Sequence, residues 1–444
     1  MLAWPLVPLV ASLANSAAPH RRLQFPQWEL LPNFSPAVAT SVSFTSATDG
    51  IIVGDIGVPD TGARVWATGD GGSTTHVAAF DGPTPDTPLM LLHGVVVRET
   101  SVVAGFSRWL PSRHAAWTSS DSGLSYVPAE GPGAIGPAHS VSGFLQEGSL
   151  KFVIVADTFT HNGVAISNPE RGTPGGQFFE DPIEVFQDKT IVAHISARFG
   201  AFPSATAWYV SGGGWPLERS EEATHDAAEI HHLSEHIFVR KHPAGNESAF
   251  GFSPTSAHSR RTLQGGRYSA GIAKSVDGGR SWRTLFESET AGYYFNQVSV
   301  LIPNTACWPN CSLYGPGKSC CLQISCWDSE HCVVVAEGGG EARIFTTNDG
   351  GVDWRPRLVA WGGSSLMAVQ ALEGTEGEGW AGGGITGEAF TGHFWHTLDW
   401  GESWLQVALP GTYCLDLSFP PGQTAVGYAS VLTQAGVSGL ARYE

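Results

Sequence analysis

Short apolar runs bounded by turn-forming residues recur along the chain and predict short β-strands. The run Gly50-Ile-Ile-Val-Gly54 follows an alternating stretch at Val42-Ser-Phe, and the same order recurs where Leu322-Gln-Ile precedes Cys332-Val-Val-Val-Ala336. Alternation indicates a half-buried strand, and a continuous apolar run indicates a fully buried one. Each pair therefore predicts an inner strand, a, followed by a strand b. This pattern places the end of strand b near seven residues: Gly54, Ala104, Ala156, Ser211, Ala336, Ala381 and Gly427.

A second pattern, Ser/Thr-x-Asp-x-Gly, recurs five times and in its strongest copies ends on Trp. It is typical of a turn between two strands, in which Asp accepts backbone hydrogen bonds, Gly adopts a positive φ and the aromatic ring packs back. This motif is an Asp-box. Its residues are Asp70, Asp121, Asp277 with Trp282, Asp349 with Trp354, and Asp399 with Trp404. Their regular spacing predicts a structural role for these aspartates, spread around the periphery of the fold.

The intervals between the motifs indicate the fold. Asp70 and Asp121 are 51 residues apart, and Asp349 and Asp399 are 50 apart. A period of about 50 residues with four strand signals per unit is typical of a propeller blade. We predict an all-β fold, a seven-bladed β-propeller of four-stranded antiparallel blades, with eight blades as the alternative. The unit around Asn168 is a blade without an Asp-box.

The two ends of the chain are expected to meet in one blade. The last unit, about 412–443, has signals for strands a to c and none for an outer strand d. The segment Trp28-Glu-Leu-Leu31 resembles a lone outer strand. Pairing it with the last unit would close the ring and remove an exposed sheet edge.

Composition and charge narrow the functional classes. Acidic residues outnumber basic ones by 41 to 24, which gives a net charge of −17. A nucleic-acid partner needs a concentrated basic face, so this charge disfavours one, and it also disfavours an anionic membrane surface. Residues 1–18 resemble a cleavable signal peptide, and no later segment is apolar enough to span a membrane. We expect residues 19–444 to form one monomeric propeller domain, secreted or in the secretory-pathway lumen in preference to a plastid lumen.

The cysteines fit an oxidising compartment. Six of the seven lie close together, at Cys307, Cys311, Cys320, Cys321, Cys326 and Cys332. The cluster has no Cys-x-x-Cys pair, the spacing of most structural zinc sites, so we predict disulfides. Cys326 and Cys332 flank the turn of an a–b hairpin and are expected to pair, the other four pairing among themselves and leaving Cys414 free. Asn246 and Asn310 lie in glycosylation sequences, which agree with export.

These motifs resemble the propellers similar to photosystem II stability and assembly factors. The resemblance is carried by Ile324-Ser-Cys-Trp-Asp-Ser-Glu-His-Cys332-Val-Val-Val-Ala and by the Asp-box that ends at Trp354. It implies a propeller over roughly residues 25–443 and, for the members that act in photosynthesis, a non-enzymatic assembly role. Sialidases and sortilin-type receptors share the Asp-box more distantly. The Arg-Ile-Pro motif expected of a sialidase does not occur in the sequence.

Three carboxylates are the catalytic candidates. Asp55, Asp157 and Glu337 follow strand b in the first, third and fifth units. Sharing a face, they could bind a cation or a cationic partner, or supply an acid–base pair for glycoside hydrolysis. The alternative is that these short acidic side chains cap turns. No cofactor is predicted; a structural cation is the one candidate.

Two insertions interrupt the repeats, a polar one at about 214–266 and a Cys-rich one at about 303–325. The first contains His232-Leu-Ser-Glu-His236, the spacing of an inverted zinc-peptidase motif, although a solvated polar loop explains it without metal. Long loops on a rigid scaffold usually carry function or disorder. We expect both insertions on the face opposite the Asp-boxes. The main hypothesis is an exported, non-catalytic propeller that binds a protein or glycan there, and the alternative is a carbohydrate-active hydrolase or lyase.

Overall fold

The computed structural model shows seven antiparallel sheets arranged as a seven-bladed β-propeller, and no described residue lies in a helix. This confirms the predicted fold class and the count of seven. The described residues are 27–32, 34, 38–55, 63–80, 88–107, 115–131, 138–146, 148–157, 162–168, 170–172, 176–186, 196–214, 269–288, 323–338, 341–360, 364–385, 391–433 and 438–444. Within this part of the chain, no helix could cross a membrane.

Each blade follows the a–b–c–d order with strand a innermost. The N-terminal strand is β1 (Trp28–Leu30), and blade one contains β2 (Val38–Phe44), β3 (Gly50–Asp55), β4 (Ala63–Thr68) and β5 (His76–Val77). After β6 (Ala79–Phe80), blade two contains β7 (Pro88–Val97), β8 (Thr100–Ser107), β9 (Ala116–Ser119) and β10 (Ser125–Pro128). Blade three contains β11 (Ala138–Gln146), β12 (Ser149–Asp157), β13 (Asn162–Asn168), β14 (Phe178–Phe179) and β15 (Ile183–Glu184).

The remaining blades are more regular. Blade four contains β16 (Ser196–Ala201), β17 (Trp208–Gly214), β18 (Ser269–Ser275) and β19 (Arg283–Ser288). Blade five contains β20 (Ile324–Cys326), β21 (Cys332–Gly338), β22 (Glu341–Thr347) and β23 (Arg355–Ala360). Blade six contains β24 (Ser364–Ala371), β25 (Gly379–Ile385), β26 (Thr391–Thr397) and β27 (Leu405–Ala408), and blade seven contains β28 (Tyr413–Ser418), β29 (Gly427–Leu432) and β30 (Ser438–Tyr443).

The N-terminal strand completes blade seven, as predicted. β1 pairs antiparallel with β30, with Trp28 opposite Tyr443 and Leu30 opposite Ala441. Trp28 is buried and its ring stacks on Phe394 at a centroid distance of 4.3 Å. The seventh sheet therefore contains both ends of the described chain.

One predicted strand boundary is wrong. The pattern placed the end of strand b of blade seven near Gly427, but β29 begins at that residue. The a–b connection is longer in this blade because Pro420 begins a turn, in which its carbonyl accepts a hydrogen bond from Gln423 N at 2.9 Å. The apolar residues just before Gly427 belong to this connection.

Burial explains why the strand-b runs are continuously apolar. Ile51, Ile52 and Val53 are all fully buried, as are Val333, Val334 and Val335 in blade five. A strand b lies between two strands of its own sheet, and its faces pack against the neighbouring blades, so neither side contacts water. The core consists of apolar clusters between successive blades.

Candidate functional site

The blade topology defines two faces. The a–b hairpins and c–d turns lie at one face, called here the hairpin face, and the b–c and d–a connections lie at the other, called here the loop face. The five predicted turn aspartates all lie between strands c and d, for example Asp277 between β18 and β19. They therefore belong to the hairpin face.

The five Asp turns share one hydrogen-bond pattern. In each, the preceding Ser or Thr hydroxyl donates to Asp Oδ1 at 2.7–3.0 Å. The same hydroxyl accepts the N–H of the turn glycine, and Oδ1 also accepts the N–H four residues after the aspartate, both at 2.8–3.0 Å. In four copies a hydroxyl at that position also donates to Oδ2, as Ser281 does to Asp277 at 2.6 Å.

Each Asp turn also fixes a neighbouring hairpin. The N–H that follows the aspartate donates to a carbonyl of the a–b hairpin at 2.8–3.1 Å, as from Gly71 to Thr48 and from Trp400 to Gly377. The turn glycine has a φ of 78–88° and lies against a side chain of the preceding blade in most copies. At Gly123, a Cβ would lie 2.7 Å from Ile51 Cγ2 of blade one. The turn therefore joins two hairpins within its own blade and packs against the preceding blade.

These contacts assign the turn aspartates a supporting role. Hydrogen bonds from Ser281 lower the pKa of Asp277 to about 2, and hydroxyl and backbone donors likewise lower the pKa of Asp70. A carboxylate held by several donors stays ionised and is a poor proton donor. Blade three replaces the motif with Asn168 and Arg171, which both donate to Glu180, at 2.7 and 2.9 Å.

The loop face contains the backbone of the three candidate carboxylates. Asp55 and Asp157 are the last residues of β3 and β12, and Glu337 is the last but one of β21. They occupy corresponding ends of strand b in blades one, three and five. Their side chains lie outside the described residues, so their proposed role in binding or catalysis stays a prediction.

The described strands that flank the two insertions reach the loop face of blade four or its neighbour. The chain leaves β17 at Gly214 and enters β18 at Ser269, and these residues are register partners. Ser288, which ends β19, pairs with Ala270. The predicted Cys-rich insertion extends too far at its end, because Ile324 and Ser325 belong to β20. Residues 215–266 and 303–322 of the insertions lie outside the described residues, and so do His232, His236, Asn246, Asn310, the signal peptide 1–18 and the cysteines Cys307, Cys311, Cys320 and Cys321.

The axis contains a polar layer that sequence reasoning missed. Strand a is the inner edge of each sheet, so the N–H groups on its side away from strand b need other partners. Ser41 and Ser43 Oγ accept hydrogen bonds from the N–H groups of Gly94 and Val96 in the next blade, at 3.3 and 3.1 Å. Similar contacts join blades five to six, six to seven and seven to one. The alternating polar residues of strand a were the available signal.

Asp416 is the charged member of this layer and is buried. Its Oδ2 accepts from Val42 N at 3.0 Å, and its Oδ1 accepts from Gln323 Nε2 at 2.7 Å and from Leu417 N at 2.9 Å. The Gln323 contact joins blades five and seven across the axis. With both oxygens held by donors, Asp416 is suited to locking the ring and not to proton transfer.

Another axial residue is His93 of blade two. Burial lowers the pKa of His93, although the charge of Asp416 acts in the opposite direction. Its neutral Nδ1 accepts from Val141 N at 3.4 Å, and its ring lies edge-on to Phe199 of blade four. The imidazole therefore packs within the layer as a neutral acceptor.

The predicted disulfide between Cys326 and Cys332 is present and joins register partners of the a–b hairpin in blade five. Cys414 is a buried free thiol within the described part of the chain. Burial raises its pKa well above the usual thiol value, which keeps it unreactive.

No protein-family model matches the chain, and no curated protein matches it in sequence. Solved structures with similarity to it include "YCF48 bound to D1 peptide" (14% identity, 95% of this chain and 98% of that chain, TM-score 0.48). Another is the WD40 propeller domain of Doa1 (10%, 94% and 97%, 0.45). A third is the GH74 xyloglucanase from Xanthomonas campestris (12%, 92% and 56%, 0.27). Similarity of this degree assigns neither a family nor a ligand to the chain.

Proposed function

We propose that the chain is an exported, non-catalytic Asp-box β-propeller that binds a protein partner on its loop face. The observation that carries this proposal is the position of the insertion ends. Gly214, Ser269 and Ser288 lie side by side at one edge of blade four, so two long segments start from one small area of a rigid scaffold. Scaffolds that carry long loops in this way commonly use them for binding.

The hydrogen bonds support a scaffold over an enzyme. The turn aspartates and Asp416 accept hydrogen bonds that hold turns and blades together. The remaining enzyme candidate uses Asp55, Asp157 and Glu337, whose shared end of strand b favours a common face. A hydrolase at that face, or a glycan ligand in place of a protein, is the alternative.

The test exploits the register of blade four. Because Gly214 and Ser269 are cross-strand partners, residues 215–268 can be replaced by a two-residue Asn-Gly turn that retains the pairing. Intact and shortened chains would be secreted, and co-purifying proteins compared by quantitative mass spectrometry. We expect a partner that binds the intact chain and is lost on shortening, with an unchanged melting temperature.

A glycan array and chromogenic glycosides, applied to the intact chain, separate the alternatives. Glycoside hydrolysis that the Asp55→Asn, Asp157→Asn or Glu337→Gln variants abolish would establish the enzyme and overturn the proposal. Partner binding unchanged by the shortening would remove the loop face as the site.

A further inference from the structure

The outer edges of the seven blades differ in how they are protected. In blade two, β6 adds to β10 as a parallel fifth strand, with Ala79 opposite Ser125 and a hydrogen bond from Ala79 N to Leu124 O of 2.9 Å. In blade three, Phe179 N donates at 2.8 Å to the carbonyl of Glu130, which follows β10 of blade two. The chain thus covers one blade edge with an extended segment of its own and joins another to its neighbour.

Other outer strands carry residues that oppose further pairing. β23 begins Arg355-Pro-Arg357, β19 contains Arg283 and Glu287, and β1 contains Glu29. Charges and proline on an edge strand are the usual protection against adding another strand. These edges are therefore suited to remain unpaired.

Within the part of the chain that the structure describes, the outer edge of blade six has neither kind of protection. β27 has the sequence Leu-Gln-Val-Ala, without charge or proline, and no described strand pairs with its outer side. Leu405 at its start is 69% exposed, and Leu398 in the preceding turn is 68% exposed. An edge with free backbone groups and exposed apolar side chains is a template for an extended chain.

The charges beside this edge favour a basic occupant. Glu373 and Glu376 are exposed on the a–b hairpin of blade six, which Trp400 N joins to the turn before β27. Glu402 on that turn binds Arg357, a cation of the adjacent blade, at 2.5 Å. The chain as a whole has a net charge of −17, which disfavours a second copy and favours a basic segment.

We propose that the outer edge of blade six, β27, binds an extended basic segment of a protein partner as a fifth strand. The backbone of the segment would pair with β27 as β6 pairs with β10, and its apolar side chains would cover Leu405. Its cations would face the carboxylates of the hairpin face. This inference rests on the proposed protein-binding function and adds a contact on the rim, away from the insertions.

The test uses the full secreted chain and a fluorescein-labelled peptide of about ten residues in which Lys alternates with Val or Thr. We expect binding in fluorescence anisotropy that weakens with salt, and slower amide exchange at residues 405–408. Leu405→Lys should weaken binding by about tenfold or more. Val352→Lys makes the same charge change at a residue that is 82% exposed in blade five, and it should leave binding nearly unchanged.

Equal affinities of the two variants, protection at another site, equal binding of a peptide with Glu in place of Lys, or no binding at all would each overturn this inference. Both substituted side chains are largely exposed, so unchanged melting temperatures are expected. The variant lacking residues 215–268 distinguishes this inference from the loop face. If that variant keeps its partner while Leu405→Lys loses the peptide, the loop face is wrong and the edge site stands; the opposite pair of results overturns only the edge site.

Discussion

The junction of blades seven and one uses the same hydrogen-bond pattern as the junction of blades one and two, but with one stronger acceptor. At the ordinary junction, the hydroxyls of Ser41 and Ser43 accept two backbone N–H groups of the next inner strand. At the closing junction, Asp416 replaces the first hydroxyl, and Ser418 Oγ accepts from Phe44 N at 2.9 Å. A carboxylate forms stronger hydrogen bonds than a hydroxyl.

The closing junction also has additional packing. Phe44 of blade one stacks on Tyr428 of blade seven with ring centroids 3.5 Å apart. Trp28 anchors β1, the strand that holds the start of the chain in blade seven, through contacts with aromatic rings of blades six and seven. Blades one and two are covalently consecutive, whereas blades seven and one meet only through non-covalent contacts and the strand β1. Closing the ring costs the entropy of joining distant parts of the chain, and these extra contacts offset it.

Removing β1 should have the largest effect on this junction. A mature chain that begins at residue 35 exposes the edge of β30 and lacks Trp28, whose packing alone contributes about 3–5 kcal/mol. That is a large share of a typical stability of about 5–15 kcal/mol, so we expect aggregation or poor secretion. A mature chain that begins at residue 26, and therefore keeps β1, is the control. Normal secretion and an unchanged melting temperature of the shorter chain would contradict closure by β1.

Asp416→Ala should have the next largest effect. It leaves Val42 N–H and the Gln323 amide without their acceptor inside the protein, at a cost of about 3–5 kcal/mol. Ser41→Ala removes the corresponding acceptor at the ordinary junction and should cost about 1 kcal/mol. Urea unfolding of both variants measures the difference. Similar losses would show that the carboxylate has no special part in closing the ring.

The turn glycines provide a matched comparison between the two junctions. A Cβ at Gly72 would lie 2.5 Å from Leu440 Cδ2 of blade seven, and one at Gly123 would lie 2.7 Å from Ile51 Cγ2 of blade one. Both glycines have a φ of 86°. Alanine at either position should cost about 1–3 kcal/mol, from backbone strain and from displacement of the neighbouring side chain. We expect equal losses in thermal unfolding. A much larger loss for Gly72→Ala would show that the closing junction also depends on its turn.

The smallest expected effect is the pH dependence of a turn aspartate away from the closing junction. The folded-state pKa of Asp277 is lowered to about 2, so its contribution is present above the unfolded pKa near 4 and is lost as the pH falls toward 2. Since the carboxylate is exposed, the contribution should be under about 1 kcal/mol. Urea unfolding of the wild type and Asp277→Asn should converge at low pH. A stability difference that is constant from pH 6 to pH 2 would contradict this assignment.

The local part of the structure was predictable from neighbouring residues. The hydrogen bonds of each Asp turn join residues only a few positions apart, so the spacing of Ser275, Asp277 and Ser281 is enough to predict the turn. Strand b is buried on both faces in every blade, so its apolar runs indicated seven blades and the hairpin that places Cys326 beside Cys332. The prediction that strand b of blade seven ends near Gly427 was wrong because the apolar residues before Gly427 resemble a strand, although they follow a proline-containing turn.

The sequence by itself determined the repeat, the number of blades, the Asp turns and the pairing of β1 with the last blade, because each depends on short-range patterning or on one unpaired edge. Tertiary structure alone decided the contact between Gln323 and Asp416, 93 positions apart, and the addition of β6 to blade two. Such contacts depend on where rigid blades come to lie around a shared axis, and a polar residue in a strand looks the same in the sequence whether it faces water or a distant donor.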